Sequence, residues 1–365
     1  MFLLRTNHRE ITVCQFVVFD VSLGAGHSLL MKYDGSVWAT GVNTFGQLSA
    51  DPTTSMLITK FAEIMSGRAQ AVAAGRGHSL IVKQDGSVWS TGMNMFGQLG
   101  DGSNNDKYSF VQVIHSGAKA VSAGEKLSLV LMLDGSVWAT GFNLHGQLGD
   151  GSTIHRSSFV QVVLAGANAI DVGSDHSMVL KQDGSVWVTG SNLRGQLGAG
   201  SASIKTNFVQ AIPRGATAIA AGGYHSMVLM NDGTVWVTGE NAYGQLGDGT
   251  TSSTSIFLQA AVENVVAITA GHDHSMVLKQ DGSVWATGRN NFGQLGDGPT
   301  VSTSSFVLLI SSGVKTVVAG DWNSMVRKDD GSLWATGAND YGQLGDGSTI
   351  TKSIFVRVLT SCSGA

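Results

Sequence analysis

Asp134-Gly-Ser-Val-Trp-Ala-Thr-Gly141 is one of three identical octapeptides in this chain; the others begin at Asp34 and Asp281, and close variants begin at Asp85, Asp183, Asp232 and Asp330. Successive starts are 51 residues apart once and 49 residues apart thereafter. A period of that length marks a propeller or a solenoid, because one such unit cannot cover its own apolar faces and needs neighbours to do so. The repeats take up most of the 365 residues and leave no room for a second globular domain.

The unit 159–207 shows what is repeated. Phe159-Val-Gln-Val-Val163 reads as a first strand and Ala169-Ile-Asp-Val172 as a second, with Gly166 in the turn between them. His176 to Lys181 is the third strand and Ser185 to Thr189 the fourth. Asp183-Gly184 between them predicts a two-residue hairpin with a type I′ turn. A long connection, Gly190 to Gly198, leads into the next unit. The sequence therefore predicts an all-β, seven-bladed propeller of four-stranded antiparallel meanders, the arrangement that buries each sheet against its neighbours. Residues 1–9 are set apart as an N-terminal extension, and residues 10–365 form the propeller. Its repeats are placed at 10–60, 61–109, 110–158, 159–207, 208–256, 257–305 and 306–354, with a closing strand at 355–359.

Composition agrees with sheet and narrows function. The 49 glycines against 3 prolines suit many turns between paired strands, where proline would remove ladder donors. Charged residues make up 13% and the net charge is −4, so the chain carries no basic field for nucleic acid. The first residues, Met1-Phe-Leu-Leu-Arg5, are interrupted by charge too early for a secretory signal or a membrane span, and Asn-x-Ser/Thr sequons are absent. An intracellular monomer, in cytoplasm or nucleus, is expected. Cys14 and Cys362 lie at opposite chain ends that a closed ring would bring together; a disulfide between them is one reading, and reduced thiols, given no secretion signal, the favoured one.

Positions filled in every unit are read as structural. Trp38, Trp89, Trp138, Trp187, Trp236, Trp285 and Trp334 share one position and read as wedges between blades, as do Phe61, Phe110, Phe159, Phe208, Phe257, Phe306 and Phe355. The repeated amides, from Asn43 and Gln47 to Asn339 and Gln343, read as partners for backbone groups in the long connection. His27, His78, His176, His225 and His274 share a position that Leu127 and Asn323 fill elsewhere, which suits packing and hydrogen bonding better than a ligand ring.

Together, Ala-Gly-x-x-His-Ser, Asp-Gly-Ser-Val-Trp and Gly-x-Asn-x-Phe-Gly-Gln-Leu-Gly resemble the regulator of chromosome condensation repeat family over nearly the whole chain. The resemblance implies a seven-bladed propeller. It does not choose among functions, since the family includes an exchange factor for a small GTPase, an ultraviolet-B photoreceptor, a β-lactamase inhibitor and propellers joined to ubiquitin ligases. The family's exchange factor uses a wedge inserted between strands, whereas the largest irregularity here is two extra residues between Gly46 and Phe61. The photoreceptor uses clustered tryptophans in the Gly-x-x-His loops, which here hold only Trp322 and Tyr224.

Phe355-Val-Arg-Val-Leu359 repeats the first strand an eighth time, whereas Glu10-Ile-Thr-Val-Cys14 has lost the Phe. The C-terminal strand is therefore expected to pair into the first blade and close the ring.

Strand alternation places the Gly-x-x-His loops and the long connections on one face and the Asp-Gly hairpins on the other. The hairpin face is nearly the same in every unit, so residues that vary on the opposite face are those the blade does not dictate. Candidates for binding a protein partner are Arg76, Glu125, Lys126, Asp175, Tyr224, His272, Asp273, Asp321 and Trp322 from the short loops. Arg194, Tyr243, Arg289 and Tyr341, together with Met93, Met95, Phe142, His145, Glu240 and Asp340, come from the long ones. Aromatic and Arg anchors beside charges suit a protein interface. Four acids against Arg76 and Lys126 in the short loops point to a partner with a basic patch.

Motifs for chemistry are absent: no Gly-Lys dipeptide, His-Glu-x-x-His, Cys-x-x-Cys or Gly-x-Ser-x-Gly occurs. Asp101-Gly-Ser-Asn-Asn-Asp106 lacks the sixth-position Gly and terminal Glu of a calcium loop. No metal, cofactor or catalytic residue is expected. The primary reading is a non-enzymatic protein-protein interaction propeller or scaffold. The alternative is guanine nucleotide exchange on a small GTPase.

Overall fold

The computed structural model describes residues 18–49, 56–200 and 202–360. Among them are seven four-stranded antiparallel sheets, each a meander in chain order. Blade 4 is Ala167–Val172, His176–Lys181, Val186–Gly190 and Lys205–Ile212, and the sequence repeat copies this plan around the ring. The blades span residues 18–65, 69–114, 118–163, 167–212, 216–259, 265–310 and 314–359. No helix among the described residues is long and apolar enough to cross a membrane.

The blades begin one strand later than the sequence units. Each Phe strand is the outer strand of the preceding sheet: Lys205–Ile212 pairs with Val186–Gly190, not with Ala216–Ala221. A period states how long the unit is but carries no origin, so the sequence could not say which strand starts it. The same phase error undoes the expected ring closure. Lys352–Leu359 pairs with Leu333–Gly337 and completes blade 7, while blade 1 is built wholly from residues 18–65. The stretch Glu10–Cys14 and both cysteines lie outside the described residues.

The ring closes by contacts between blades 7 and 1. Ser28 Oγ donates to the Gln343 carbonyl at 2.6 Å, Thr40 Oγ1 to the Gly342 carbonyl at 2.9 Å and Gly347 N to the Thr59 carbonyl at 2.8 Å. Val18, Val21, Leu23 and Leu30 share a core with Met325, Leu333 and Leu344 behind them.

The hairpins also differ from expectation. Lys181 N donates to the Ser185 carbonyl and Gly184 N to the Lys181 carbonyl, enclosing Gln182, Asp183 and Gly184 in a three-residue loop. Only Gly184 has positive φ (77°), whereas a type I′ turn would need Asp183 there as well. Asp183 instead accepts both the amide and the hydroxyl of Ser185, which the sequence pattern Asp-Gly-Ser makes available in most blades.

Between blades the repeated residues form belts. Trp187 packs on the core of blade 3, Trp236 on that of blade 4 and Trp285 on that of blade 5. Phe208, Phe257 and Phe306 enter the same cores, and each ring presses on a glycine of the preceding long loop; a Cβ on Gly149 would lie 2.5 Å from Phe208. Asn94 shows the amide at work: its Oδ1 accepts Leu99 N, and its Nδ2 donates to Asp101 and to the carbonyls of Ser103 and Asn105.

The buried histidines tie blade to blade. His176 Nε2 lies 2.8 Å from Ser226 Oγ of the next blade, and Ser226 Oγ lies 2.7 Å from the Gln196 carbonyl. Because the hydroxyl proton goes to the carbonyl, the imidazole carries its proton on Nε2 and donates it to the serine. His27, His78, His225 and His274 repeat the contact. Burial keeps all five neutral, their pKa falling to about 3 for His27 and His225 and about 4 for His78, His176 and His274.

A candidate protein interface on the loop face

The variable residues sit at the boundaries between blades, in sets of three. Each set joins the residue two after the repeated Asn in one long loop, the residue before that Asn in the next blade, and the second short-loop residue of that next blade. At the boundary of blades 2 and 3 these are Phe96, Phe142 and Lys126: the rings meet edge to face at 5.0 Å and Lys126 Nζ stands 5.7 and 5.5 Å from them. Between blades 4 and 5, Arg194 pairs with Glu240 at 3.0 Å, with Tyr224 alongside. Between blades 5 and 6, Arg289 lies 4.8 Å above the Tyr243 ring and 3.1 Å from Asp273 Oδ2. Between blades 6 and 7, the rings of Phe292 and Trp322 meet at 5.7 Å with their planes tilted by 39°. The sets vary from boundary to boundary, yet within each set the members suit one another. Part of the variation that marks this face therefore serves blade packing.

The short loops link these sets around the channel mouth. Tyr224 meets His272 edge to face at 5.5 Å, and His272 lies 6.3 Å from Trp322. His272 Nδ1 is 3.0 Å from Asp273 Oδ1. Burial opposes charge on His272, yet the hydrogen-bonded Asp273, with Asp321 and Glu125 nearby, raises its pKa above the usual imidazole value. Burial likewise opposes charge on Asp273, but His272 and Arg289 hold it below the usual carboxylate range. Asp321 and Asp175 go the other way, burial pushing both up. Tyr224 is raised by burial and by the carboxylates of Asp175, Glu125 and Glu240. Arg76 pairs with Glu125, which also meets Lys126 at 3.4 Å. Asp175 accepts a long bond of 3.5 Å from Gln147 Nε2, and Tyr341 packs beside Gly26 at the blade 7–1 boundary.

The channel itself has a volume of about 290 Å³, and its mostly polar wall sets Ser22, Ser122, Asp171 and Thr269 among small and aliphatic residues such as Ala73, Ile170 and Ile268. In its wall Asp171 accepts the amides of Ala221 and Val172 and the Ser122 hydroxyl. No group of three or more His, Cys, Asp or Glu side chains among the described residues is placed to hold a metal ion.

Exposure separates free residues from committed ones. Arg76 and Arg194 are 58% and 59% exposed, against 18% and 14% for the acids they pair with. Asp273 is buried and Arg289 mostly covered. Glu125 is thus covered by Arg76 and Lys126, and Asp273 by His272 and Arg289, so these two short-loop acids present little free charge to a basic-patch partner. Directly after the repeated Asn of three successive blades stand Met95, Leu144 and Leu193, exposed by 62%, 56% and 66%. Leu144 and Leu193 escape a sequence reading because an aliphatic residue in a β-rich chain reads as core. The signal was the composition of that repeat position, where Thr44, Ala242, Asn291 and Asp340 are the counterparts.

Comparison with known proteins agrees with the fold. Two descriptions of the regulator of chromosome condensation (RCC1) repeat match the chain. One covers residues 20–47, 69–98, 168–196, 216–245, 265–294 and 314–343, and the other covers 85–131, 183–229, 232–278 and 281–327. Protein RCC2 homolog of Xenopus laevis is 39% identical over 83 residues, which is 22% of this chain and 16% of that protein. The secretion-regulating guanine nucleotide exchange factor of Bos taurus is 37% identical over 78 residues, 21% of this chain and 17% of that protein. The match thus spans well under two thirds of either relative. Yeast RCC1 (Prp20), solved bound to Kap60, has a TM-score of 0.78 at 19% identity, covering 99% of this chain and 92% of that one. Human WBSCR16 has the same score at 21% identity, covering 89% and 93%. At those identities the structural likeness is one of fold. With the repeat matched over more than half its length and built into seven blades, the chain belongs to the regulator of chromosome condensation repeat family.

Proposed function

We propose that this protein is a non-enzymatic interaction propeller that binds a protein partner on its loop face. The observation that carries this reading is the row of exposed aliphatic side chains, Met95, Leu144 and Leu193, on neighbouring blades, with exposed Arg194 next to Leu193 and exposed Arg76 on the same face. Burying each aliphatic side chain is worth up to about 1.5–3 kcal/mol, and arginine is a favoured anchor at interfaces. The hairpin face exposes Tyr33, Leu133 and Leu164 too, but Gln84, Gln182, Asn231 and Gln280 hold the position of Tyr33 and Leu133 in other blades.

The test compares a Leu144→Ser, Leu193→Ser variant with a Tyr33→Ser, Leu133→Ser variant in cross-linking and capture from native lysate. A protein retained by the second and lost from the first supports the reading; one lost from the hairpin-face variant alone refutes it. The second reading, nucleotide exchange on a small GTPase, is favoured by the 37% identity to the bovine exchange factor over 78 residues. A GDP-release assay on captured GTPases separates it from plain binding. The two-residue insertion bearing on it falls in the loop that contains residues 50–55, outside the described residues.

A further inference from the structure

Charge on the loop face is unevenly exposed, and blades 2 to 4 show this most. There each long loop ends on a cation at the start of the outer strand: Lys107, Arg156 and Lys205. Lys107 and Arg156 are anchored on Asp101 and Asp150, and in both pairs the acid is the more deeply covered partner. In blade 4 the matching position is Ala199, so Lys205 forms no ion pair among the described residues and only donates to Ser203 Oγ at 3.2 Å. Arg194 likewise covers its partner Glu240 while standing exposed itself. Aliphatic side chains alternate with these cations: Ile154 and Ile204 beside Arg156 and Lys205, and Leu193 beside Arg194 are all exposed.

We propose that the loops of blades 2 to 4 dock a partner segment that is acidic and carries aliphatic side chains, with Leu144 and Leu193 supplying apolar contact and Arg194 and Lys205 the charge. This rests on the loop-face reading above and names its chemistry. The fold gains little from an unpaired Lys205 or from aliphatic side chains held in water. A carboxylate-bearing, Leu-rich segment would satisfy both, and opposite charge would speed its encounter.

The probe is a 15-residue fluorescent peptide of alternating Glu and Leu pairs carrying one photoreactive residue, with a Lys/Leu peptide and a Glu/Ser peptide of equal length as controls. Anisotropy at low salt should show the Glu/Leu peptide binding at least tenfold more tightly than either control, weakening as salt rises. Arg194→Gln with Lys205→Gln, and separately Leu144→Ser with Leu193→Ser, should each cost about tenfold or more at unchanged thermal stability. Equal binding of the Lys/Leu peptide, or no loss in either double variant, overturns the proposal. Mapping the cross-link distinguishes the two readings. Attachment to blades 2–4 supports both, attachment to the loops of blades 5–7 overturns this one alone, and attachment to the Asp-Gly hairpins overturns both.

Discussion

His176→Leu should make the protein less sensitive to acid even though it removes a hydrogen bond. The folded imidazole has a pKa of about 4 because it is buried without charge partners, whereas in the unfolded chain the pKa is about 6.5. Between those values the unfolded state binds the proton and the folded state does not, so acid favours unfolding. Stability is full above about pH 6.5 and is lost as pH falls toward the folded pKa, at about 1.4 kcal/mol per pH unit for each such group. From pH 6.5 to pH 5 that is about 2 kcal/mol for His176. The five buried histidines together lose on the order of 10 kcal/mol, comparable with the whole stability of a typical domain. The chain offers its own template for the substitution, since Leu127 fills this position in blade 3 and is fully buried. Urea unfolding followed by tryptophan fluorescence at pH 8, 7, 6 and 5 would give the stability of each protein. The variant should be less stable at pH 8 for want of the Ser226 contact, and its loss between pH 8 and pH 5 should be about 2 kcal/mol smaller than that of the wild type. Equal losses would mean that His176 does not titrate as a buried neutral group, and the account of the belt would fail.

Other consequences of the belts can be measured directly. Gly222→Ala would put a Cβ 2.6 Å from the Gly271 carbonyl and 2.2 Å from His225 Cε1, so a loss of several kcal/mol is expected. Gly166→Ala, whose Cβ meets nothing within 4 Å, should cost only the strain of positive φ, about 1 kcal/mol; similar melting temperatures for the two would refute the close packing of the short loops. Asn323 leaves Nδ2 buried without a partner where five blades have histidine. Asn323→His should reach Ser28 across the blade 7–1 seam and raise stability by about 1 kcal/mol at pH 8. The gain should vanish at about pH 6 and turn into a loss by about pH 5, and a lower melting temperature at pH 8 would count against the belt at the seam.

The sequence by itself determined the architecture. Seven copies of Asp-Gly-Ser-Val-Trp or a close variant at a period of about 49 residues, with glycines at the turns and no helical patterning, leave few packings other than a ring of antiparallel sheets. It also identified the repeated amides as loop scaffolding, because an invariant polar residue inside a varying loop must answer to backbone groups that are themselves invariant. Only the tertiary structure decided the phase of the blades and how the ring closes, since a periodic chain states its spacing without stating where each sheet starts. The turn type was also decided there. Asp183 binds Ser185 and keeps an ordinary φ, so the Asp-Gly pair makes a three-residue loop. The loop face divided along the same line. Reading down the repeats found which residues vary, but Phe96 with Phe142 and Arg289 with Tyr243 vary together across boundaries that connect distant parts of the chain. Whether a charge faces water depends on which partner lies above the other. That is why Arg194 and Leu193 stand exposed while Glu240 and Asp273 lie beneath their cationic partners.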